Sequence, residues 1–76
     1  MIDLIKLECY VADGDSMKLD HVEYGVDPES AYVKYVKLVS EKDESGERKY
    51  VSVRPYLAAY KLIEDPNAFF NQFKIT

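Results

Sequence analysis

Ile5-Lys6-Leu7-Glu8-Cys9-Tyr10-Val11-Ala12-Asp13-Gly14-Asp15-Ser16 is the stretch whose reading decides the fold. Its odd positions Ile5, Leu7, Cys9 and Val11 are apolar, and Lys6 and Glu8 alternate with them, the period of two that a half-buried strand requires. A strand is expected over 2–12. The polar run Asp13-Gly14-Asp15-Ser16 supplies a turn, because glycine tolerates positive φ and aspartate bonds nearby backbone. A second strand over 17–24 completes a hairpin. Its apolar residues change parity, from Met17 and Leu19 to Val22 and Tyr24, and a bulge near His21 accounts for the switch.

Downstream, Asp27-Pro28-Glu29-Ser30 combines an N-cap aspartate, a proline at the first helical position and an early glutamate, so a helix starts there. At 100° per residue Ala31, Tyr32, Tyr35, Val36, Leu38 and Val39 share one side. Lys34, Lys37, Ser40 and Glu41 hold the other, with Val33 among them. Gly46 reverses the chain in the charged loop 42–47. Alternation from Arg48 to Arg54 predicts a third strand, which Pro55 ends or places at an edge. Residues 56–64 suit a buried helix or a buried strand, since Leu57, Ala58, Ala59, Leu62 and Ile63 fit both; the helix is preferred. A second Asp-Pro pair, Asp65-Pro66, caps a short terminal helix bearing Phe69, Phe70 and Phe73. The expected fold is α+β, one compact domain over 1–76 with an N-terminal β-hairpin and the order β-β-α-β-α-α.

Composition narrows the function classes. With 76 residues, 47% hydrophobic and 32% charged, the chain is soluble and globular in character, with neither a membrane span nor a signal peptide expected. One cysteine permits no internal disulfide, so a cytoplasmic protein is expected. A lone cysteine and a lone histidine make no zinc site, and the three scattered glycines make no phosphate loop, so neither metal nor cofactor is expected. The spacing of Asp13, Asp15 and Asp20 fails the calcium-loop pattern, because Met17, Lys18 and Tyr24 stand where it needs a ligand, a glycine and a glutamate. Cys9 and His21 approach one another across the hairpin, but Cys9 lies on the apolar parity, where a buried, inert thiol is the expectation. No enzyme is expected.

Charge is unevenly distributed. Through Ser30 there are eight acids and two lysines, a net −6; from Ala31 onward eight bases meet six acids, a net +2. An acidic N-terminal half repels phosphate and attracts basic surfaces, which argues against direct nucleic-acid binding and for a basic protein partner. The seven tyrosines supply large, rigid contact area with a polar tip. Tyr10, Tyr24 and Tyr50 lie on strand parities shared with charged and polar residues, and with Asp13, Asp15, Asp20 and Glu23 they are the candidate partner-binding residues. In size and acidity the chain resembles small phage-encoded inhibitors such as anti-CRISPR proteins. That resemblance is one of composition, and it implies a module that docks on a basic, nucleic-acid-binding protein and imitates phosphate charge. The alternative is an assembly protein that dimerises through an open sheet edge.

Overall fold

A computed structural model describes residues 4–73. In chain order it contains β1 (Ile5–Asp13), β2 (Ser16–Gly25), α1 (Pro28–Ser40), β3 (Ser52–Leu57), β4 (Lys61–Leu62) and α2 (Pro66–Asn71). All strand pairs are antiparallel and the sheet order is β2-β1-β3-β4, which makes the fold α+β with the expected N-terminal hairpin. The expected start of the first strand before Leu4 lies outside the described residues.

β1 runs between two neighbours, so its backbone is bonded on both sides while its side chains separate by parity. Ile5, Leu7 and Cys9 are fully buried. Burying each of the two aliphatic side chains contributes about 2 kcal/mol. Gly14 opens the two-residue turn with φ +64°, and Asp13 pairs with Ser16 across it. The register shifts between Cys9 and Tyr10, so that Cys9 faces His21 while Tyr10 faces Leu19. Asp20 is the extra residue, and the expected bulge is thereby located.

α1 begins as the sequence signals it should: the Asp27 carboxylate accepts the Ser30 N–H at 2.8 Å and Pro28 occupies the first turn. The helix lies across β1, β2 and β3 and buries Ala31 and Leu38. Asp65 repeats the device for α2, accepting the Ala68 N–H at 3.2 Å. α2 is short, and what holds it is Phe70, 2% exposed, whose ring sits 5.5 Å from Tyr32 and 5.4 Å from Tyr35.

Two expectations for the C-terminal half are corrected. Strand β3 is displaced toward the C-terminus and runs through Pro55, which is buried opposite Leu7. The proline is tolerated because its carbonyl, accepting the Ile63 N–H at 2.9 Å, points toward β4. Its missing N–H therefore falls on the side where the neighbouring strand is only two residues long. Residues 56–64 are then a β-hairpin and no helix. The turn Leu57-Ala58-Ala59-Tyr60 is closed by the Tyr60 N–H to the Leu57 carbonyl at 3.2 Å, with φ of 53° at Ala58 and 65° at Ala59. Two successive positive-φ residues resemble the type I′ turn that normally calls for Asn-Gly, and the ladder resumes at Leu57↔Lys61, which leaves Ala58, Ala59 and Tyr60 in the loop. Each alanine there costs roughly 1–2 kcal/mol.

Gly25 closes β2 directly beneath α1, where an added Cβ would lie 2.6 Å from both Cα and Cβ of Ala31. Gly25→Ala is expected to cost about 2–3 kcal/mol, a fall in thermal midpoint of roughly 10 °C or more for a domain of this size. The paired change Ala58→Asn with Ala59→Gly should move stability the other way, by about 1 kcal/mol after the added unfolded-state freedom of glycine is counted. Chemical denaturation with an unchanged slope checks both.

Candidate functional site

The face of the sheet turned away from α1 is built by the residues that alternate with the core. Cross-strand register sets them in rows: Tyr24, Lys6, Tyr56 and Leu62 run across all four strands, and Val22, Glu8 and Arg54 form the next row. Leu19, Tyr10 and Ser52 form the third, and Met17 faces Ala12 near the hairpin turn. The bulge at Asp20 makes this possible. It brings Met17 and Leu19, of one sequence parity, onto the same face as Val22 and Tyr24, of the other. Met17, Leu19, Tyr24 and Leu62 remain 38–48% exposed.

Lys6 and Glu8 in the middle of this face satisfy one another. The Tyr10 hydroxyl donates to Glu8 Oε1 at 2.6 Å and Lys6 Nζ lies 3.1 Å from Glu8 Oε2. Partial burial pushes the Glu8 carboxyl up, but the hydrogen bond from Tyr10 and the Lys6 ammonium outweigh it and hold the group below its ordinary range. The bond to Glu8 raises the Tyr10 hydroxyl in turn. Lys6 sits 4.7 Å from the Tyr56 ring centre and Arg54 4.8 Å from that of Tyr10, within cation–π range.

The sequence-derived candidates divide among three places. Tyr10 and Tyr24 belong to the open face. Asp13 and Asp15 are exposed at the tip of the β1–β2 hairpin. Asp20 and Glu23 lie on β2, the outer strand, with their carboxylates against His21. Tyr50, expected on an exposed strand face, is a correction: it precedes β3, is 4% exposed and packs its ring 5.5 Å from that of His21. The chain joins the ladder only at Ser52, which frees Tyr50 from strand parity and lets its ring enter the core. Lys6, Glu8, Arg54, Tyr56 and Leu62 were missed. The first two were visible as the even parity of the first strand, whereas Tyr56 and Leu62 were hidden by the helix expected there.

Cys9 and His21 do face each other in the ladder, but the pair lacks the chemistry of a nucleophile and its base. Burial, with Glu23, Asp20 and Glu41 adding negative charge, pushes the thiol up to about 11. Both imidazole nitrogens are already engaged by carboxylates. Beside them a groove of about 300 Å³ between β2 and α1 is lined by Glu23, Lys34, Lys37, Leu38, Glu41 and Tyr50. Among the described residues no three His, Cys, Asp or Glu side chains are placed to share a metal ion, and no helix is long and apolar enough to cross a membrane. No protein-family model, no curated protein and no solved structure matches the chain.

The hydrogen bond from Glu23, then that from Asp20, raises His21 above its ordinary value of 6.5, against a smaller opposing effect of burial. A raised folded-state value means the stabilisation is complete below pH 6.5 and is lost as pH rises through the folded-state value. Denaturation midpoints of the wild-type protein are therefore expected to fall above pH 6.5, and those of His21→Gln to stay level over the same window. A wild-type profile as flat as the variant's would remove the clamp.

Proposed function

We propose that the chain is a non-catalytic protein-binding module of the cell interior that docks on a basic protein partner. The contact core is the open sheet face, and the acids of the β1–β2 hairpin form its charged margin. The uncovered face carries this reading, with Met17, Leu19, Tyr24 and Leu62 exposed around a centre where Lys6 and Glu8 are paired and Arg54 lies over the Tyr10 ring. Desolvating such a centre takes the Lys6–Glu8 pair out of water already matched and leaves Arg54 supported by the Tyr10 ring face. Asp13 and Asp15 at the hairpin tip give the margin one sign and favour a basic rim opposite, and Asp20 and Glu23 extend it around the β2 edge on the α1 side, where both lie against His21. A partner so covered loses its own basic surface as a landing place for nucleic acid, which makes inhibition the natural consequence of binding.

Two features oppose the other classes. The ring faces of Tyr10 and Tyr56 are occupied by Arg54 and Lys6, so they offer no free platform for stacked bases. Edge pairing between copies meets a bulge at Asp20 that interrupts the outer rim of β2, a device that discourages such pairing, while β4 offers two residues.

The test compares variants as bait at low and high salt. Leu19→Ser with Tyr24→Ser is expected to weaken a specific partner by about 30-fold or more, as loss of a contact hot spot does, whatever the salt. Asp13→Asn with Asp15→Asn is expected to weaken it only at low salt. A partner retained equally by wild type and both variants removes the reading.

A further inference from the structure

His21 has a carboxylate on each ring nitrogen: Nδ1 lies 2.7 Å from Asp20 Oδ2 and Nε2 lies 2.9 Å from Glu23 Oε2. Ionised carboxylates only accept, and a neutral imidazole donates from one nitrogen, so both bonds coexist only when the ring is an imidazolium. The bulge creates this geometry. On a regular strand Asp20 would point away from His21, whereas as the extra residue it reaches the same ring as Glu23. The Tyr50 ring packs against the imidazole at 5.5 Å and limits its movement.

Every packed element contributes to the surroundings. β2 supplies Asp20 and Glu23, and β1 supplies the neutral Cys9 thiol directly across the ladder. The segment before β3 supplies Tyr50 with Lys49 beside its ring, and α1 presents Lys34 and Lys37, with Glu41 at its end, to the groove that Glu23 lines. The two carboxylates on the single imidazolium keep one net negative charge and are still reachable, with side chains 43% and 36% exposed for Asp20 and Glu23.

We infer that His21 is a proton-dependent latch on the acidic margin: as imidazolium it holds the Asp20 and Glu23 carboxylates, and a lysine or arginine from a basic partner takes them over as the imidazolium releases its proton to solvent. The inference rests on the basic-partner reading above and specifies how that margin is regulated. Loss of the proton leaves one carboxylate without a donor and two negative charges facing the same neutral ring. An incoming ammonium or guanidinium restores both the charge and the hydrogen bonding. Binding and deprotonation are therefore linked, so each favours the other.

The probe is a synthetic arginine- and lysine-rich octapeptide, titrated by calorimetry at pH 6, 7 and 8 in two buffers of different ionisation enthalpy. His21 is the chain's only histidine, so proton release in this window that is lost in His21→Gln reports on it rather than on α-amino groups. Wild type is expected to release up to one proton per peptide and to bind several-fold more tightly at pH 8 than at pH 6, within the ceiling of about tenfold per pH unit for one linked proton. His21→Gln should bind with no proton release and no pH dependence. Glu23→Gln, the second variant, keeps the imidazole but should shift maximal release to lower pH. Peptide binding with the same pH dependence in wild type and His21→Gln, or a release maximum unmoved by Glu23→Gln, overturns the latch and leaves the basic-partner reading standing. No binding by any of the three proteins at any pH removes the basic-partner reading, and the latch with it.

Discussion

Pairing of β1 with a neighbour on each side is the constraint from which the rest of the structure follows. Once its backbone is satisfied in both directions, alternation alone sends Ile5, Leu7 and Cys9 into the core and Lys6, Glu8 and Tyr10 to the opposite face. A slip of one residue in either ladder would exchange those sets and bury Lys6 and Glu8 under α1, so register is strongly specified. The helix follows from the same assignment. It needs a flat apolar surface to cover, and the close approach of Ala31 to Gly25 fixes where its first turn lands.

Much of this was legible because the signals were local and chemical. Asp-Pro marked both helix starts, the glycine between aspartates marked the first turn, and the parity change between Leu19 and Val22 marked the bulge. What escaped was governed by tertiary packing. Ala58 and Ala59 carry no turn chemistry and favour helix on their own, so the hairpin they form against their preference is visible only once β3 has a partner to pair with. Pro55 does not end the strand, and of the two readings the edge is the nearer one, because the two-residue β4 pairs only with Tyr56 and Leu57. Tyr50 was read by strand parity at a position the strand does not reach. For the interface, Tyr10 and Tyr24 were legible from alternation, while the rows they join needed β4. The His21 clamp was half legible, since Glu23 shares its parity and Asp20 reaches it only through the bulge.

The electrostatic arrangement separates two kinds of surface in a very small molecule. In the middle of the open face the Lys6–Glu8 pair packs with Lys6 and Arg54 over the Tyr56 and Tyr10 rings, the Lys6 and Glu8 side chains being only 21% and 15% exposed. Long side chains lie flat there and lend apolar area rather than free charge. Along β2 the acids Asp20 and Glu23 share one imidazolium, and the nearby Lys34 ammonium reaches the Tyr24 carbonyl at 2.7 Å. Net charge thus collects at one border of the sheet, and desolvatable surface collects beside it.

Cys9 gives the sheet a built-in clock. Its sulfur is fully buried on the central strand and its proton is held too tightly for reaction from the closed state. An alkylating reagent therefore meets a reactive thiolate only during intervals when β1 has parted from α1. Those intervals belong to the opening of the core rather than to fraying at an end. The rate at which label accumulates on this single atom measures how often the domain opens, with no engineered reporter and no second thiol to confuse the count.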